Sequence, residues 1–175
     1  MSLLPRIAAP LHPILVHFSV ALTSASLAFD VLAALLHVPS LAAAGWWSLA
    51  ASVVATIGAV ASGVVSRIRL PMEEGEARAW LQAHMALGPV FMGLALVMTV
   101  WRASLWEAGV PVVPWSYVAV MTGVVLVLTV QGYLGGELVY RFGAEVEGGY
   151  RRLPIDGNAD APPHARTRSQ SHRML

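Results

Sequence analysis

The stretch ILVHFSVALTSASLAFDVLAALL, residues 14–36, decides the fold class of this chain. Its 23 residues include a single carboxylate, Asp30, and a single histidine, His17. A bilayer core about 30 Å thick is crossed by roughly 20 apolar residues in a helix. The stretch is longer than the apolar part of a signal peptide, and no A-x-A cleavage site follows it. We therefore expect a retained membrane span.

Three more stretches of the chain have the same character. The predicted spans are residues 14–36, 46–66, 83–101 and 115–134. The chain is 57% hydrophobic and only 12% charged, about half the charged fraction of a soluble domain. Short connections between the spans favour an all-α integral membrane fold, an up-down-up-down four-helix transmembrane bundle over residues 1–143. Small residues that allow close helix packing support this prediction: Ala51, Ala55, Ala59, Gly63, Gly132 and Gly136.

The arginines predict the orientation of the bundle. On this topology, ten of the 11 arginines share one side of the membrane with both termini, and Arg102 alone lies on the other side. The positive-inside rule makes the first side cytoplasmic. Residues 144–175 are polar and arginine-rich, and we interpret them as a disordered cytoplasmic tail. The absence of cysteine excludes disulfides, thiolate metal sites and covalent c-type haem.

Two histidines are expected at the same depth in the bilayer. Pro13 is predicted in the first turn of the first helix, so His12 lies just outside the span and His17 about one turn inside it. His84 lies about one turn inside the third span, which runs in the same direction. The first and third helices of such a bundle are diagonal neighbours, so inward-facing His17 and His84 could bind a haem iron from both sides.

The surroundings of these histidines are predicted to suit a macrocycle. Small residues lie on the face of His17 and one turn beyond His84: Ala21, Ser24, Ala28 and Gly88. Guanidinium groups that could bind propionates lie on the same side of the membrane: Arg6, Arg67, Arg69 and Arg141. His12 would bond a propionate or face the lipid headgroups.

Three alternatives remain open from the residues alone. A histidine near a membrane interface is most often a packing residue, which leaves a cofactor-free scaffold. The histidines with Glu137 could instead bind zinc or copper. Asp30 could be a near-interface carboxylate bonded to a hydroxyl such as Ser48 or Thr99, or instead a proton-accessible site that pairs with His37.

Three motifs resemble a bacterial membrane family, domain of unknown function 2231. They are HPILVHF at 12–18, HMALG at 84–88 and YLGGELVYRFG at 133–143. Members of that family occur fused to or beside Rieske iron–sulfur and c-type cytochrome domains, which implies redox chemistry in a bacterial inner membrane. The resemblance implies site residues at His12, His17 and His84, with Gly135, Gly136, Tyr140 and Arg141 at the edge of the same site.

These observations together predict a b-type cytochrome-like protein that holds one haem b between His17 and His84. A six-coordinate iron has no open position, so we expect electron transfer with quinone or a redox partner of the Rieske or c-type cytochrome class rather than substrate turnover. The leading alternative is a cofactor-free scaffold or accessory subunit of a larger complex. Either protein could form a homo-oligomer, and no nucleic-acid partner is expected.

Overall fold

A computed structural model describes residues 4–68, 75–107 and 113–144, the side chains of residues 4–10 and 107 excepted. Within these ranges the chain forms four helices and no strand: α1 Leu4–Leu36, α2 Pro39–Arg67, α3 Glu76–Glu107 and α4 Trp115–Tyr140. All four are long and apolar enough to cross a membrane. The predicted all-α, four-span fold is confirmed. The predicted tail, apart from Ala144, lies outside the described residues.

The helices form a ring in chain order. Helix α1 packs most extensively on α2, and α3 packs on α4, while α2–α3 and α1–α4 contacts close the ring. In the described residues the backbones of α1 and α3 make no contact, and neither do those of α2 and α4. Helices α1 and α3 are therefore diagonal neighbours, as expected for an up-down-up-down bundle.

Helix α1 begins well before its predicted start. Its first residue is Leu4, so Pro10 and Pro13 lie inside the helix and His12 lies about two turns from its beginning. The expected position of Pro13 in the first turn, with His12 outside the helix, is wrong. Membrane-spanning helices tolerate internal proline because neighbouring groups can take up the freed carbonyls.

The turn between α1 and α2 is only two residues long. His37 follows the last residue of α1 with a φ of 56°, and its N–H donates to the Ala33 carbonyl at 2.9 Å. Histidine is one of the few non-glycine residues that adopts this left-handed conformation, which commonly ends a helix. Pro39 then begins α2, seven residues before the predicted start at Trp46, because proline suits the first turn of a helix.

Helix α4 continues past its predicted end at Leu134 to Tyr140. Its end has a Schellman arrangement in which Gly143 N–H donates to Val139 O at 3.0 Å and Ala144 N–H to Leu138 O at 2.9 Å. Gly143 has a φ of 67°, a conformation that glycine adopts without a steric penalty. The final glycine of the YRFG motif is thus explained by the helix end.

The apolar core lies in one half of the bundle. It combines the end of α1, the start of α2, the second half of α3 and the first half of α4, and it includes Leu49, Phe91, Met98, Met121 and Leu128. Among the described side chains, the other half, where α1 and α3 carry their histidines, has few fully buried apolar residues.

Candidate functional site

His12 and His84 face each other across the bundle. Their ring centroids are 6.3 Å apart, and the ring planes are nearly perpendicular, at 81°. His12 projects from α1 and His84 from α3, so the pair bridges the two diagonal helices that make no backbone contact. We call this region, with Ser62, Gly63, Gln131 and Gly135, the histidine end.

Each ring is oriented by the backbone of a neighbouring helix. His12 Nδ1 lies 2.8 Å from Ala59 O on α2, and His84 Nδ1 lies 3.3 Å from Gln131 O on α4. A carbonyl only accepts, so the proton in both rings is assigned to Nδ1. In the neutral rings the lone pair is then on Nε2, which is the tautomer of metal-binding histidines whose other nitrogen donates to a carbonyl.

Two glycines make room for the rings. A Cβ atom on Gly63 of α2 would lie 3.0 Å from His12 Cε1 and 3.1 Å from its Nδ1. A Cβ atom on Gly135 of α4 would lie 3.1 Å from His84 Cε1. Both distances are tighter than normal van der Waals contact, so a larger residue at either position would push the ring away from the carbonyl that orients it.

Gln131 is a site residue that no motif in the sequence indicates. Its amide Nε2 lies 3.4 Å from His84 Nε2, and its backbone carbonyl holds Nδ1 of the same ring. Gly88, a predicted pocket residue, lies beside this amide, since a Cβ there would be 3.4 Å from Gln131 Nε2. Ser62, also not predicted, has its Oγ 3.5 Å from His12 Nδ1.

His17 does not join this site. Its side chain is exposed on the outer face of α1, and its Nδ1 lies 2.6 Å from the Pro13 carbonyl of its own helix. His12 and His17 are five residues apart, about 140° around a helix, so only one of them can face inward. The structure therefore brings His84 together with His12, where His17 was expected. Ala21, Ser24 and Ala28, expected to line a pocket, are likewise exposed.

The predicted edge of the site is spread out in the structure. Gly135 contacts His84, whereas Gly136 is nearest to the ring of Tyr140, at 3.9 Å for a Cβ placed there. Tyr140 is 77% exposed. Arg141 forms an exposed ion pair with Glu76, with Nη2 2.9 Å from Oε1.

The structure describes only some of the residues that were predicted to bind propionates or a metal ion. Arg67 is partly buried at the last residue of α2, on the side of the bundle that carries the histidines. The side chains of Arg6 and Arg69 lie outside the described residues. Among the residues described, no three histidine, aspartate or glutamate side chains come together, so the three-histidine metal site with Glu137 is not formed there.

A second polar centre lies at the opposite end of the bundle. Asp30 is completely buried, and its Oδ1 lies 3.5 Å from Nε of Arg102, which is 1% exposed. Arg102 also donates from Nη2 to Ala42 O at 3.2 Å, and its Cζ lies 5.8 Å from the centre of the Tyr117 ring. We call this region, with Gly45, the aspartate end.

The aspartate end corrects two expectations. Arg102 was expected in an outer loop but is a buried part of α3, which continues to Glu107. Asp30 was expected to bond Ser48 or Thr99 or to pair with His37, and its partner is Arg102 instead. Thr99 donates to Ala95 O of its own helix, and His37 is exposed in the α1–α2 turn.

A spacing in the sequence could have revealed both pairs. His12 and Asp30 are 18 residues apart, and so are His84 and Arg102. Eighteen residues make about five full turns of helix, so each helix presents its two polar residues on one face. That face of α1 is continued by Ser19, Thr23 and Ser26, whereas His17 is followed at helical spacing only by small residues that turn out to face outward.

The comparisons with known proteins agree with the fold and add no chemistry. A family described as "Predicted membrane protein (DUF2231)" matches residues 8–148, which include all the residues of both polar centres. No curated protein and no solved structure matches the chain.

Proposed function

The chain belongs to the DUF2231 family of predicted membrane proteins, and we propose that it is a haem-binding electron-transfer protein whose axial ligands are His12 and His84. The observation that carries this proposal is the pairing of two imidazoles from diagonal helices, each with Nδ1 on a backbone carbonyl. His12 takes the role that the sequence analysis gave to His17, because His12 is the histidine of α1 that faces inward.

The separation of the rings fits two ligands of one metal ion. Metal–imidazole bonds are about 2 Å long, so two imidazoles on opposite sides of one iron have centroids about 6 Å apart. The observed separation is 6.3 Å. His12 and His84 would hold the iron of a bound haem, which would supply one-electron redox chemistry.

The protein's own groups would tune such a site. Hydrogen bonds from Nδ1 to Ala59 O and Gln131 O fix the tautomer and make each ring a more basic ligand. Gln131 Nε2 lies against His84 Nε2, where a metal bond forms, so this amide has to rotate away when His84 binds. Arg67 is the partly buried cation at this end that could bind a propionate.

A haem held by two histidines supplies one-electron transfer and has no open coordination position. We therefore propose an electron carrier of a bacterial inner membrane that exchanges electrons with quinone or with a Rieske or c-type cytochrome partner. On the arginine distribution, the histidine end faces the cytoplasm.

The experiment is a reduced-minus-oxidised visible spectrum of the purified protein, expressed with ample haem. We expect a b-type α-band that is lost in His12→Ala and in His84→Ala. His17→Ala is the matched control, since it removes an exposed imidazole five residues from His12 and should keep the full spectrum. A pyridine extract identifies the haem type.

Two results would contradict the proposal in different ways. A colourless wild-type protein would exclude bound haem altogether. Loss of the band in His17→Ala but not in His12→Ala would keep the haem and return the ligand role to His17, which would require α1 to rotate relative to the structure.

One observation favours the scaffold alternative. The two imidazoles already bond α1 to α2 and α3 to α4 through backbone carbonyls, which is a packing role in itself. A scaffold predicts a colourless protein in which His12→Ala and His84→Ala lower the melting temperature while His17→Ala does not. The spectrum and the melting curves together separate the two functions.

A further inference from the structure

A row of buried hydroxyl groups connects the two ends of the bundle along the α1–α2 interface. Its members, all at least nine-tenths buried, are Ser19, Thr23 and Ser26 on α1 and Ser52, Thr56, Ser62 and Ser66 on α2. Thr56 Oγ1 lies 3.0 Å from Ser19 Oγ, which joins the two helices by a direct hydroxyl contact. We call this set the hydroxyl row.

The helix register keeps the row continuous. Close contacts pair His12 with Gly63, Ser19 with Thr56 and Asp30 with Gly45, so α1 and α2 run antiparallel without slippage. The same register places Thr23 level with Ser52. From Asp30 to Ser19 the row covers about 16 Å along α1, and Ser62 and Ser66 extend it on α2 to the last turn of that helix.

Several polar atoms along the row have no hydrogen-bond partner. They are Thr23 Oγ1, Tyr117 Oη and Ser66 Oγ, and Asp30 Oδ1 has Arg102 Nε at 3.5 Å, a long contact for a hydrogen bond. Four members of the row, Ser19, Ser52, Thr56 and Ser62, donate to a carbonyl three or four residues earlier in their own helix, as Thr99, Thr122 and Thr129 do on α3 and α4. Thr23 does not bond its own helix backbone, and Ser26 bonds the Asp30 carboxylate, so both hydroxyls are directed into the interface between the helices.

Internal water molecules would supply the hydrogen bonds that these buried polar atoms lack. An unpaired polar atom in an apolar interior costs free energy, and buried water binds where two to four polar groups converge. Thr23, Ser26 and Asp30 follow one another about every turn on one face of α1. Arg102 from α3 lies beside the same carboxylate, Tyr117 from α4 lies beside the guanidinium, and Gly45 of α2 lies against the carboxylate.

We propose that the hydroxyl row is a hydrated proton pathway through the membrane with Asp30 as its proton-accepting group. Asp30 first accepts a proton, forming a carboxyl O–H bond as an O–H bond of the donating water breaks; when the proton leaves, the carboxyl O–H bond breaks and a new O–H bond forms on the adjacent water or hydroxyl. That group releases a different proton to the next one, so no electron moves and no other reactant is consumed. The pathway stands on its own and does not require a bound haem.

The test is proton flux into vesicles of phosphatidylcholine and phosphatidylglycerol that contain pyranine and the purified protein. A potassium gradient with valinomycin drives the protons. We expect the wild-type protein to acidify the vesicles faster than protein-free vesicles, and Thr56→Val and Ser26→Ala to fall to the protein-free rate. Thr129→Val and Ser24→Ala are the matched controls, because both remove an exposed hydroxyl of the same type, and they should conduct like wild type.

Loss of flux in either buried variant, with its control unaffected, supports the pathway. A wild-type rate equal to that of protein-free vesicles would overturn it, and so would buried variants that conduct like wild type. Equal losses in the control variants would also overturn it, because the effect would then not depend on the row. Melting curves of all four variants identify any that fail to fold, and two independent buried positions keep the test decisive.

Discussion

The two ends of this bundle both contain polar side chains inside an apolar bundle, but they accommodate these side chains with different chemistry. At the histidine end, imidazoles from α1 and α3 rest on glycines, and their Nδ1 atoms bond backbone carbonyls. At the aspartate end, a carboxylate and a guanidinium from the same two helices are fully buried, with Asp30 Oδ1 3.5 Å from Arg102 Nε.

The difference reflects what each group needs from an apolar interior. A neutral ring with one N–H is satisfied by a single carbonyl, and its other nitrogen stays available as a ligand. A buried ion pair has many more bonding positions to fill, and its desolvation cost can exceed its mutual attraction. This difference is the reason why we propose cofactor binding at the histidine end and proton movement at the aspartate end.

The largest effect is expected when one charge of the aspartate end is removed. Arg102→Met leaves Asp30 buried without a counterion, and breaking such a pair costs about 3–5 kcal/mol. The double variant Asp30→Leu/Arg102→Met should recover most of this loss, because no unpaired charge remains. Unfolding in mixed detergent–SDS micelles measures the loss of stability in the single variant and its recovery in the double variant. His12→Phe, which removes a neutral hydrogen bond, should cost only about 1–2 kcal/mol. Equal losses of unfolding free energy in Arg102→Met and His12→Phe would contradict the expected difference between the two ends.

Glycine substitutions at the two ends are expected to cause stability losses of intermediate size. A Cβ on Gly45 would lie 2.9 Å from Cγ of the buried Asp30, whereas one on Gly63 would lie 3.0 Å from the edge of a half-buried ring. We expect Gly45→Ala to destabilise by about 1–3 kcal/mol, as overpacking does, and Gly63→Ala by less. Gly123→Ala is the control, since nothing lies within 4 Å of that position. The same unfolding assay applies, and a larger loss at Gly63 would contradict the ranking.

The smallest effect is expected at the exposed ion pair between Glu76 and Arg141. The two side chains are 57% and 49% exposed, with Arg141 Nη2 2.9 Å from Glu76 Oε1. Solvent and salt screen such pairs, so Glu76→Gln should change stability by at most about 0.5 kcal/mol. Unfolding curves at low and high salt should nearly coincide for this variant. A loss comparable to that of Arg102→Met would show that burial does not distinguish the two ion pairs.

Much of the candidate site was accessible from the sequence, and His84 and Gly88 were identified there. The choice of His17 over His12 was wrong in geometry because it relied on depth in the bilayer and placed the start of α1 at Pro13. The side of the helix on which each histidine lies is the better criterion for choosing between His12 and His17. Ser19, Thr23, Ser26 and Asp30 share a face with His12, and a polar face in a membrane helix turns inward.

Gln131 and Arg102 show what could not be read from a linear pattern. Gln131 acts through its backbone carbonyl and its amide on a residue 47 positions away, and this contact depends on the register of α3 against α4. Arg102 looked like a loop residue because the apolar run ends at Trp101, yet α3 continues to Glu107 and Arg102 finds three partners inside the bundle.

The sequence by itself determined the four spans and their antiparallel order, since the length of an apolar run and the short connections leave few alternatives. Only the tertiary structure decided which polar residues meet. Hydropathy depends on composition along one helix, whereas a contact depends on the rotation and register of two helices. Those are set by small residues such as Gly45, Gly63 and Gly135, whose missing side chains allow the polar groups to approach.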